Sequence, residues 1–237
     1  MYEKVNSLQQ LPGNQEKYHL ENYKVDESSI LKGKRILFLG SSVTLGACSF
    51  EQSFVECLKR MDGICTIKEA VNGTTLVEDG LKKQSYIERL RKIDKNTSID
   101  AFVCQCSTND ASQKKELGTI SVSYEMDDFD ITTICGAIEY IIAYVKKTWH
   151  CPVYFYTGTF YADELYEQMV EKLIEISKKW NISILDLWHD EDMLQIDQTL
   201  YKLYMADPIH PTRAGYVEWW YPKFKDFLNQ KVKAKEF

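Results

Sequence analysis

The sequence has no run of apolar residues that approaches the ~20 needed to cross a bilayer. Its first residues, MYEKVNSLQQLPGNQEKYHLENY, are polar and lack the apolar core of a secretion signal. It has no excess of basic residues either, since 29 Lys and Arg against 35 Asp and Glu give a formal net charge of -6. A general binder of nucleic acid or of anionic membranes needs a basic face. We therefore expect a cytoplasmic protein with no membrane span and no nucleic-acid partner.

Several motifs that would indicate other chemistry are missing. Seven cysteines include no CxxC pair, so neither a zinc ribbon nor a thioredoxin-like redox site is indicated. GSSVTLG contains two glycines but no Gly-Lys-Ser/Thr, which excludes a P-loop, and the absence of GxSxG argues against the α/β-hydrolase fold. Cys104 and Cys106 lie two apart in an apolar run, on one side of a strand, and are interpreted as buried structural thiols.

A length of 237 residues, 44% of them hydrophobic, fits one α/β domain with a sizeable core. Apolar runs predict strands at 35–40, 65–71, 99–107, 152–160 and 182–188. Helical spacing predicts helices at 49–61, 76–93 (interrupted at Gly80), 130–149 and 163–180, and a last one divided or kinked at Pro222. This alternation predicts a parallel sheet of five strands with helices on both faces.

The domain is expected to span residues 34–230. Residues 1–33 are a polar lead-in that packs on or flanks this domain, and residues 231–237 form a charged tail. The polar stretch 111–130 is interpreted as a long loop. One hypothesis is that this loop borders the substrate pocket, with DDFD and Tyr124 helping to select substrate. The alternative, a plain solvated excursion, stays open.

Polar segments follow the predicted strands, where ligands bind in parallel sheets. They are GSSVT (40–44), NGTT (72–75), STND (107–110) and ADPIHPT (206–212). Taken singly, each segment is also explained as a turn or a helix cap. Four such segments in this order after the correct strands are a much stronger signal.

These four segments resemble the motif blocks of the SGNH (GDSL-like) hydrolase superfamily. The resemblance covers residues 34–228 and implies a three-layer α/β/α sandwich of the flavodoxin-like type. Two positions depart from the family pattern: Ser41 stands where the family has aspartate, and Ser107 stands where it has glycine. Two adjacent serines leave the nucleophile open in principle, and alignment with the block favours Ser42.

The resemblance implies a catalytic triad of Ser42, Asp207 and His210. A serine hydroxyl needs a base to take its proton as it attacks, and imidazole suits that task. A carboxylate on the other ring nitrogen holds the imidazole in one tautomer. The resemblance further implies an oxyanion hole made by the backbone N–H groups of Ser42 and Gly73 and the side-chain amide of Asn109. Prolines at 208 and 211 stiffen the segment that carries the histidine.

The expected function is therefore hydrolysis of a small acyl ester, either a short-chain ester or a carbohydrate O-acetyl ester, through an acyl-enzyme. No metal or organic cofactor is implied, because the pair Asp207 and His210 has no further His or Cys cluster beside it in the sequence. The other three histidines have no matching motif. Alternatives are a thioesterase or lysophospholipase, and a catalytically silent binding module of the same fold. The sequence leaves a homo-oligomer open.

Overall fold

The computed structural model describes residues 7–80 and 84–237. Within these ranges one sheet contains five strands, listed here in chain order: β1 (Arg35–Gly40), β2 (Cys65–Ala70), β3 (Ala101–Gln105), β4 (Val153–Tyr156) and β5 (Ser183–Leu185). All neighbouring pairs are parallel, in the order β2-β1-β3-β4-β5. This is the flavodoxin-like order, in which the chain changes direction across the sheet between β1 and β3. The predicted strands and the parallel sheet are confirmed.

Nine α-helices lie wholly within these ranges, and residues 7–9 are helical as well. They are α1 (Ser42–Leu45), α2 (Phe54–Asp62), α3 (Tyr86–Lys92), α4 (Thr108–Ser112), α5 (Ile134–Trp149), α6 (Glu164–Trp180), α7 (Glu191–Leu194), α8 (Gln198–Tyr204) and α9 (Tyr221–Lys233). Short 3-10 turns lie at Pro12–Asn14, Glu16–Tyr18, Leu20–Asn22 and Met126–Asp128. None of the described helices combines the length and apolar composition that a bilayer crossing requires.

Alternate residues of each strand face opposite layers. In β1, Leu37 and Leu39 pack into one core with α3, α5 and α6, while Ile36 and Phe38 pack into a second core with α2 and α9. A buried side chain of this size contributes about 1.5–3 kcal/mol relative to an exposed one. The three-layer α/β/α sandwich is confirmed.

One predicted helix is much shorter than expected. Residues 76–93 were predicted to be helical, but α3 begins only at Tyr86, after a capping box in which Ser85 and Glu88 each bond the other's backbone. Residues 81–83 lie outside the described ranges. Leu76 and Val77 are not helical, because their N–H groups donate to the Asp110 carboxylate. A tertiary hydrogen bond thus overrides local helical spacing there.

The end of the chain divides as predicted. A six-residue π-helical segment, Gly215–Trp220, runs into α9, and Pro222 lies in the first turn of α9, where a missing N–H is tolerated. The helix continues to Lys233, three residues past the predicted boundary at 230. Helices α7 and α8, between β5 and the histidine segment, were not predicted.

Candidate active site

The turn that carries Ser42 is fixed from below by β3. Gly40 ends β1, and a Cβ there would lie 1.7 Å from Thr44 Oγ1 and 2.8 Å from Gln105 Oε1, so this position requires glycine. The buried Gln105 Oε1 accepts hydrogen bonds from the backbone N–H of Ser41 at 2.9 Å and from Thr44 Oγ1 at 2.8 Å. Ser42 then opens helix α1, immediately beyond the carboxyl end of β1.

The two adjacent serines face different surroundings. The Ser41 side chain is fully buried, with its Oγ 3.4 Å from Gln105 Oε1. The Ser42 Oγ lies 2.8 Å from His210 Nε2, on the cavity side of the turn. Of the two hydroxyls, the geometry therefore brings that of Ser42 to the imidazole.

Asp207 holds His210 from the other side. His210 Nδ1 lies 2.9 Å and 2.8 Å from the two carboxylate oxygens of Asp207, and the backbone N–H groups of Ile209 and His210 donate to the same carboxylate at 2.8 Å. Burial alone would raise the pKa of Asp207. The hydrogen bonds and charge of His210, with the two backbone N–H groups, outweigh burial and hold that pKa below its usual range. Asp207 is thus kept as a carboxylate facing the imidazole.

The segment carrying this pair is closed on itself. Met205 and Pro211 form an antiparallel bridge, and Ala206 N–H donates to the His210 carbonyl at 2.9 Å. Thr212 Oγ1 donates to the Leu203 carbonyl at 2.8 Å. These bonds tie the histidine segment to the end of α8 and limit its movement relative to that helix.

Gly73 and Asn109 lie at the same cavity. Gly73 has a φ of +72°, in the left-handed region, and a Cβ built on it would meet nothing within 4 Å, so the space above it is open. Asn109 Nδ2 donates one hydrogen bond, to the Thr74 carbonyl at 3.0 Å, which leaves its second amide hydrogen for another acceptor. Ser107 Oγ accepts from Asn109 N–H at 3.2 Å, so the serine that replaces the family's glycine caps α4.

One cavity of about 440 Å³ joins these groups. The predicted residues that line it are Ser42, Gly73, Asn109, Asp207 and His210, and further lining residues are Ser7, Leu8, Leu11, Ala47, Cys48, Asn72 and Ala206. The structure therefore brings all five predicted site residues together. The lining from Ser7, Leu8 and Leu11 was not predicted, because the polar lead-in has weak periodicity and no motif.

Asn14 joins the lead-in to two segments of the candidate site. This asparagine is 4% exposed. Its Nδ2 donates to the carbonyls of Leu8 at 3.0 Å and Cys48 at 2.8 Å, and its Oδ1 accepts from the backbone N–H of Arg213 at 2.9 Å. One buried side chain thus links the lead-in, the loop after α1 and the histidine segment, and it uses every donor and acceptor it has there.

Asp110 follows Asn109 in the sequence, but its side chain is buried and holds backbone groups of another segment. It is fully buried and accepts from Leu76 N–H at 2.8 Å and Val77 N–H at 3.2 Å. Burial raises the pKa of Asp110 to about 6, against the lowering effect of these hydrogen bonds and of Lys115. The carboxylate positions the segment that follows Gly73 and does not line the cavity.

A second Asp-x-x-His segment occurs at Asp186 and His189, so the expectation that the other three histidines match no motif is wrong for His189. His189 Nδ1 lies 2.7 Å from Asp186 Oδ2, the same pairing as in the predicted triad. The bonds of His189 within the described residues go to Asp186, and its ring is exposed. Spacing alone therefore does not separate the two pairs; the neighbouring hydroxyl of Ser42 does.

The loop 111–130 lies away from this cavity along most of its length. Tyr124 packs edge-on against Trp180 and bonds the Lys179 carbonyl at 3.3 Å. Among the described residues, none from 111–130 lines the cavity, so the hypothesis that DDFD and Tyr124 select substrate is wrong for this arrangement. Gln113, at the beginning of the loop, donates to the Gly73 carbonyl at 3.3 Å.

Comparisons with known proteins agree with the fold. No family model matches the chain, and no curated protein matches it. The structure is similar to that of a candidate GDSL-like lipase from Bacteroides ovatus, at a TM-score of 0.64 and 18% identity over 84% of this chain and 99% of the other.

Two esterase structures are also similar. A family two carbohydrate esterase from Clostridium thermocellum, in complex with cellohexaose, matches at a TM-score of 0.59 and 12% identity over 89% of this chain and 66% of the other. An acetyl xylan esterase matches at 0.53 and 15%, over 86% of this chain and 100% of the other. At these identities the likeness establishes the fold, and this is the fold that the resemblance in the sequence implies.

Proposed function

We propose that this protein is a serine esterase that hydrolyses small acyl esters through an acyl-enzyme on Ser42. The observation that carries the proposal is the continuous row from Ser42 Oγ through the His210 imidazole to the Asp207 carboxylate, with contacts of 2.8–2.9 Å. The row ends in a cavity that also contains Gly73 and Asn109. Hydrolase-fold neighbours that are named as lipases or esterases support the same reaction class.

Acylation begins with the proton on Ser42. Asp207 accepts a hydrogen bond from His210 Nδ1–H, which leaves Nε2 free to take the hydroxyl proton. Ser42 Oγ forms a bond to the ester carbonyl carbon as that proton moves to Nε2. His210 then gives the proton to the alcohol oxygen, the C–O bond breaks, and the alcohol leaves the acyl group on Ser42.

Deacylation repeats these steps with water. His210 Nε2 takes a proton from a water molecule while the water oxygen attacks the acyl carbon. The bond to Ser42 Oγ breaks, the serine recovers its proton from His210, and the acid departs. No metal or cofactor has a role in this cycle.

The negative charge on the carbonyl oxygen in both steps needs donors already aimed at it. The backbone N–H groups of Ser42 and Gly73 and the second amide hydrogen of Asn109 are the proposed donors. The positive φ of Gly73 and the empty space over its Cα suit a close approach by the carbonyl oxygen. The Ser107 cap and the Thr74 bond fix the Asn109 amide before substrate arrives.

The cavity favours a small acyl group. Its walls are short or aliphatic side chains, chiefly Ala47, Ala206, Leu8 and Leu11, around a volume of about 440 Å³. Acetyl and other short acyl groups fit between such walls. The neighbours named as a carbohydrate esterase and an acetyl xylan esterase make carbohydrate O-acetyl esters the first class to test.

Covalent labelling distinguishes an esterase from a silent binding module. The protein is treated with a fluorophosphonate probe and assayed on p-nitrophenyl esters from two to eight acyl carbons and on acetylated xylo-oligosaccharides. The wild type and Ser41→Ala are expected to label at Ser42 and turn over acetyl esters, while Ser42→Ala does neither. Ser41→Ala is the matched control because its hydroxyl lies against Gln105, outside the cavity.

The outcomes separate the alternatives. Labelling that is lost in Ser41→Ala but kept in Ser42→Ala would mean that Ser41, and not Ser42, is the nucleophile. Folded wild type that neither labels nor cleaves any ester would favour the binding module. If the protein prefers acyl-thioesters or lysophospholipids over every acetyl ester, the proposed substrate class is wrong and the proposed triad still stands.

A further inference from the structure

Cys48 adds a third metal-binding side chain to the predicted triad. One ligand atom each from Cys48, Asp207 and His210 lies within 4.8 Å of the other two. Within the described residues, these three side chains form a group that is close enough to share one metal ion. Cys48 lies far from Asp207 and His210 in the sequence, so the set is visible only in the fold. Cys48 lines the same cavity as Ser42 and is partly exposed, which lets an ion from solvent reach it.

The position of Cys48 is fixed by its backbone. It follows the left-handed Gly46 that ends α1, and its carbonyl accepts the Asn14 amide at 2.8 Å. The Asp207 and His210 side chains are held by each other and by the closed histidine segment. Three metal ligands on a restrained backbone need little reorganisation to bind one ion, and this favours binding.

The donor set selects the metal. Thiolate, imidazole and carboxylate are the side chains that bind Zn²⁺, at about 2.0–2.3 Å, in tetrahedral geometry. At those bond lengths, two ligand atoms of a tetrahedral ion are roughly 3.5 Å apart. Side-chain rotations that move the three ligand atoms by about 1 Å therefore bring them into place. Mg²⁺ and Ca²⁺ prefer oxygen ligands and do not match a set with sulfur and nitrogen.

We propose that Cys48, Asp207 and His210 form an inhibitory zinc site inside the catalytic cavity. Binding releases the Cys48 thiol proton to solvent and forms bonds from the ion to sulfur, to an imidazole nitrogen and to a carboxylate oxygen. An ion on Nε2 displaces the Ser42 hydroxyl, and an ion on Nδ1, whose proton moves to Nε2, separates the imidazole from Asp207. In either case His210 no longer serves as the base.

Inhibition by this site rests on the proposed esterase function, whereas binding does not. Binding is therefore measured first, with Co²⁺ as a spectroscopic stand-in that gives a near-ultraviolet thiolate-to-cobalt absorption band, and with Zn²⁺ by calorimetry. We expect one equivalent to bind the wild type with that band. Cys48→Ser and Cys48→Ala lose the band and bind Zn²⁺ at least about tenfold more weakly, since even outer-shell changes weaken metal sites by about 10–100-fold.

Two variants serve as matched controls. Cys65→Ser removes an exposed thiol at the beginning of β2, and His189→Ala removes the second Asp-His pair, so both should keep the band and the affinity. Thermal unfolding without metal verifies that the Cys48 variants are folded. A band that survives in both Cys48 variants, or that is absent from the wild type, overturns the proposal.

Activity assays then test the zinc site and the esterase function separately. Acetyl-ester hydrolysis by the wild type and by Cys65→Ser should fall with added Zn²⁺ and recover with a chelator, while folded Cys48→Ser should need at least about tenfold more Zn²⁺ for the same loss. Zinc binding by a protein with no esterase activity would leave the site standing and reject the function. An active esterase that binds no zinc through Cys48 would reject the site and keep the function.

Discussion

Ser42 Oγ lies 2.8 Å from His210 Nε2, although 168 positions separate the two residues in the chain. The sheet brings them together, because Ser42 follows β1 at the point where the strand order reverses and the histidine segment returns over the same edge. Ligands of open α/β sheets bind at such switch points. The contact is thus a consequence of the topology as well as of two local motifs.

The first prediction compares the two Asp-His pairs. His210→Ala should lower kcat for acetyl esters by about 10⁴-fold or more, because Ser42 loses its base. His189→Ala removes an imidazole with the same 2.7–2.9 Å aspartate contact but, among the described residues, no bonded serine, and should retain wild-type kinetics. The double variant Ser42→Ala with His210→Ala should be no slower than either single variant, since the two residues act as one unit. Additive losses would contradict a shared proton transfer.

The second prediction tests the oxyanion donor. Asn109→Ala should lower kcat by about 10²–10³-fold with a small change in KM, because the amide is expected to act on the transition state. Gln113→Ala is the control, since that amide bonds the Gly73 carbonyl from outside the cavity. Equal losses in both variants, or a loss of Asn109→Ala expressed mainly in KM, would point to a structural role. Steady-state kinetics with circular dichroism of each variant decides.

The sequence predicted the strands and the parallel sheet because apolar runs are encoded locally, and the five residues of the candidate site followed from the resemblance of four motif blocks to a known superfamily. Apolar runs ended by glycine or polar residues indicate β1 and β3 directly, and the motif blocks follow those strands. The expected helix 76–93 was wrong at residues 76–80, because Asp110, a distant residue, takes the N–H groups of Leu76 and Val77. No local pattern in 76–93 records that partner.

The cavity walls were missed for a related reason. Leu8 and Leu11 reach the cavity because one buried asparagine, Asn14, bonds Leu8 in its own segment and also bonds Cys48 and Arg213, which are far away in sequence. A lone asparagine in a polar stretch is most simply interpreted as a turn residue. Likewise Asp186 and His189 have the same spacing as Asp207 and His210, and the position of Ser42 is what distinguishes them.

The third prediction concerns the acyl wall. Leu11→Ala should widen the cavity and raise kcat/KM for butyryl relative to acetyl aryl esters by about tenfold, since one methylene in an apolar pocket is worth about 10–200-fold. Leu200→Ala, which truncates an exposed leucine, should leave the ratio unchanged. The measurement is kcat/KM over acyl chains of two, four and six carbons. An unchanged ratio in a folded Leu11→Ala variant would mean that the lead-in does not form a wall of the acyl pocket.

The fourth prediction follows from the buried carboxyl of Asp110. Its folded-state pKa is raised from 3.8 to about 6, so between these values the folded chain binds more protons than the unfolded chain. Its contribution to stability is therefore fully present below pH 3.8 and is lost as pH rises through about 6. The free energy of unfolding of the wild type, minus that of Asp110→Asn, should fall by up to about 3 kcal/mol from pH 4 to pH 7.

Urea unfolding at half-unit pH steps measures this difference, and subtraction removes the groups that titrate alike in both proteins. Asp110→Asn is expected to be less stable at every pH, because an amide nitrogen then faces an N–H of Leu76 or Val77. That constant offset does not affect the slope. Asp100→Asn is a control for surface carboxyls, because Asp100 bonds Arg35 N–H at an exposed position. A difference that rises with pH would mean that the hydrogen bonds to the Asp110 carboxylate outweigh its burial.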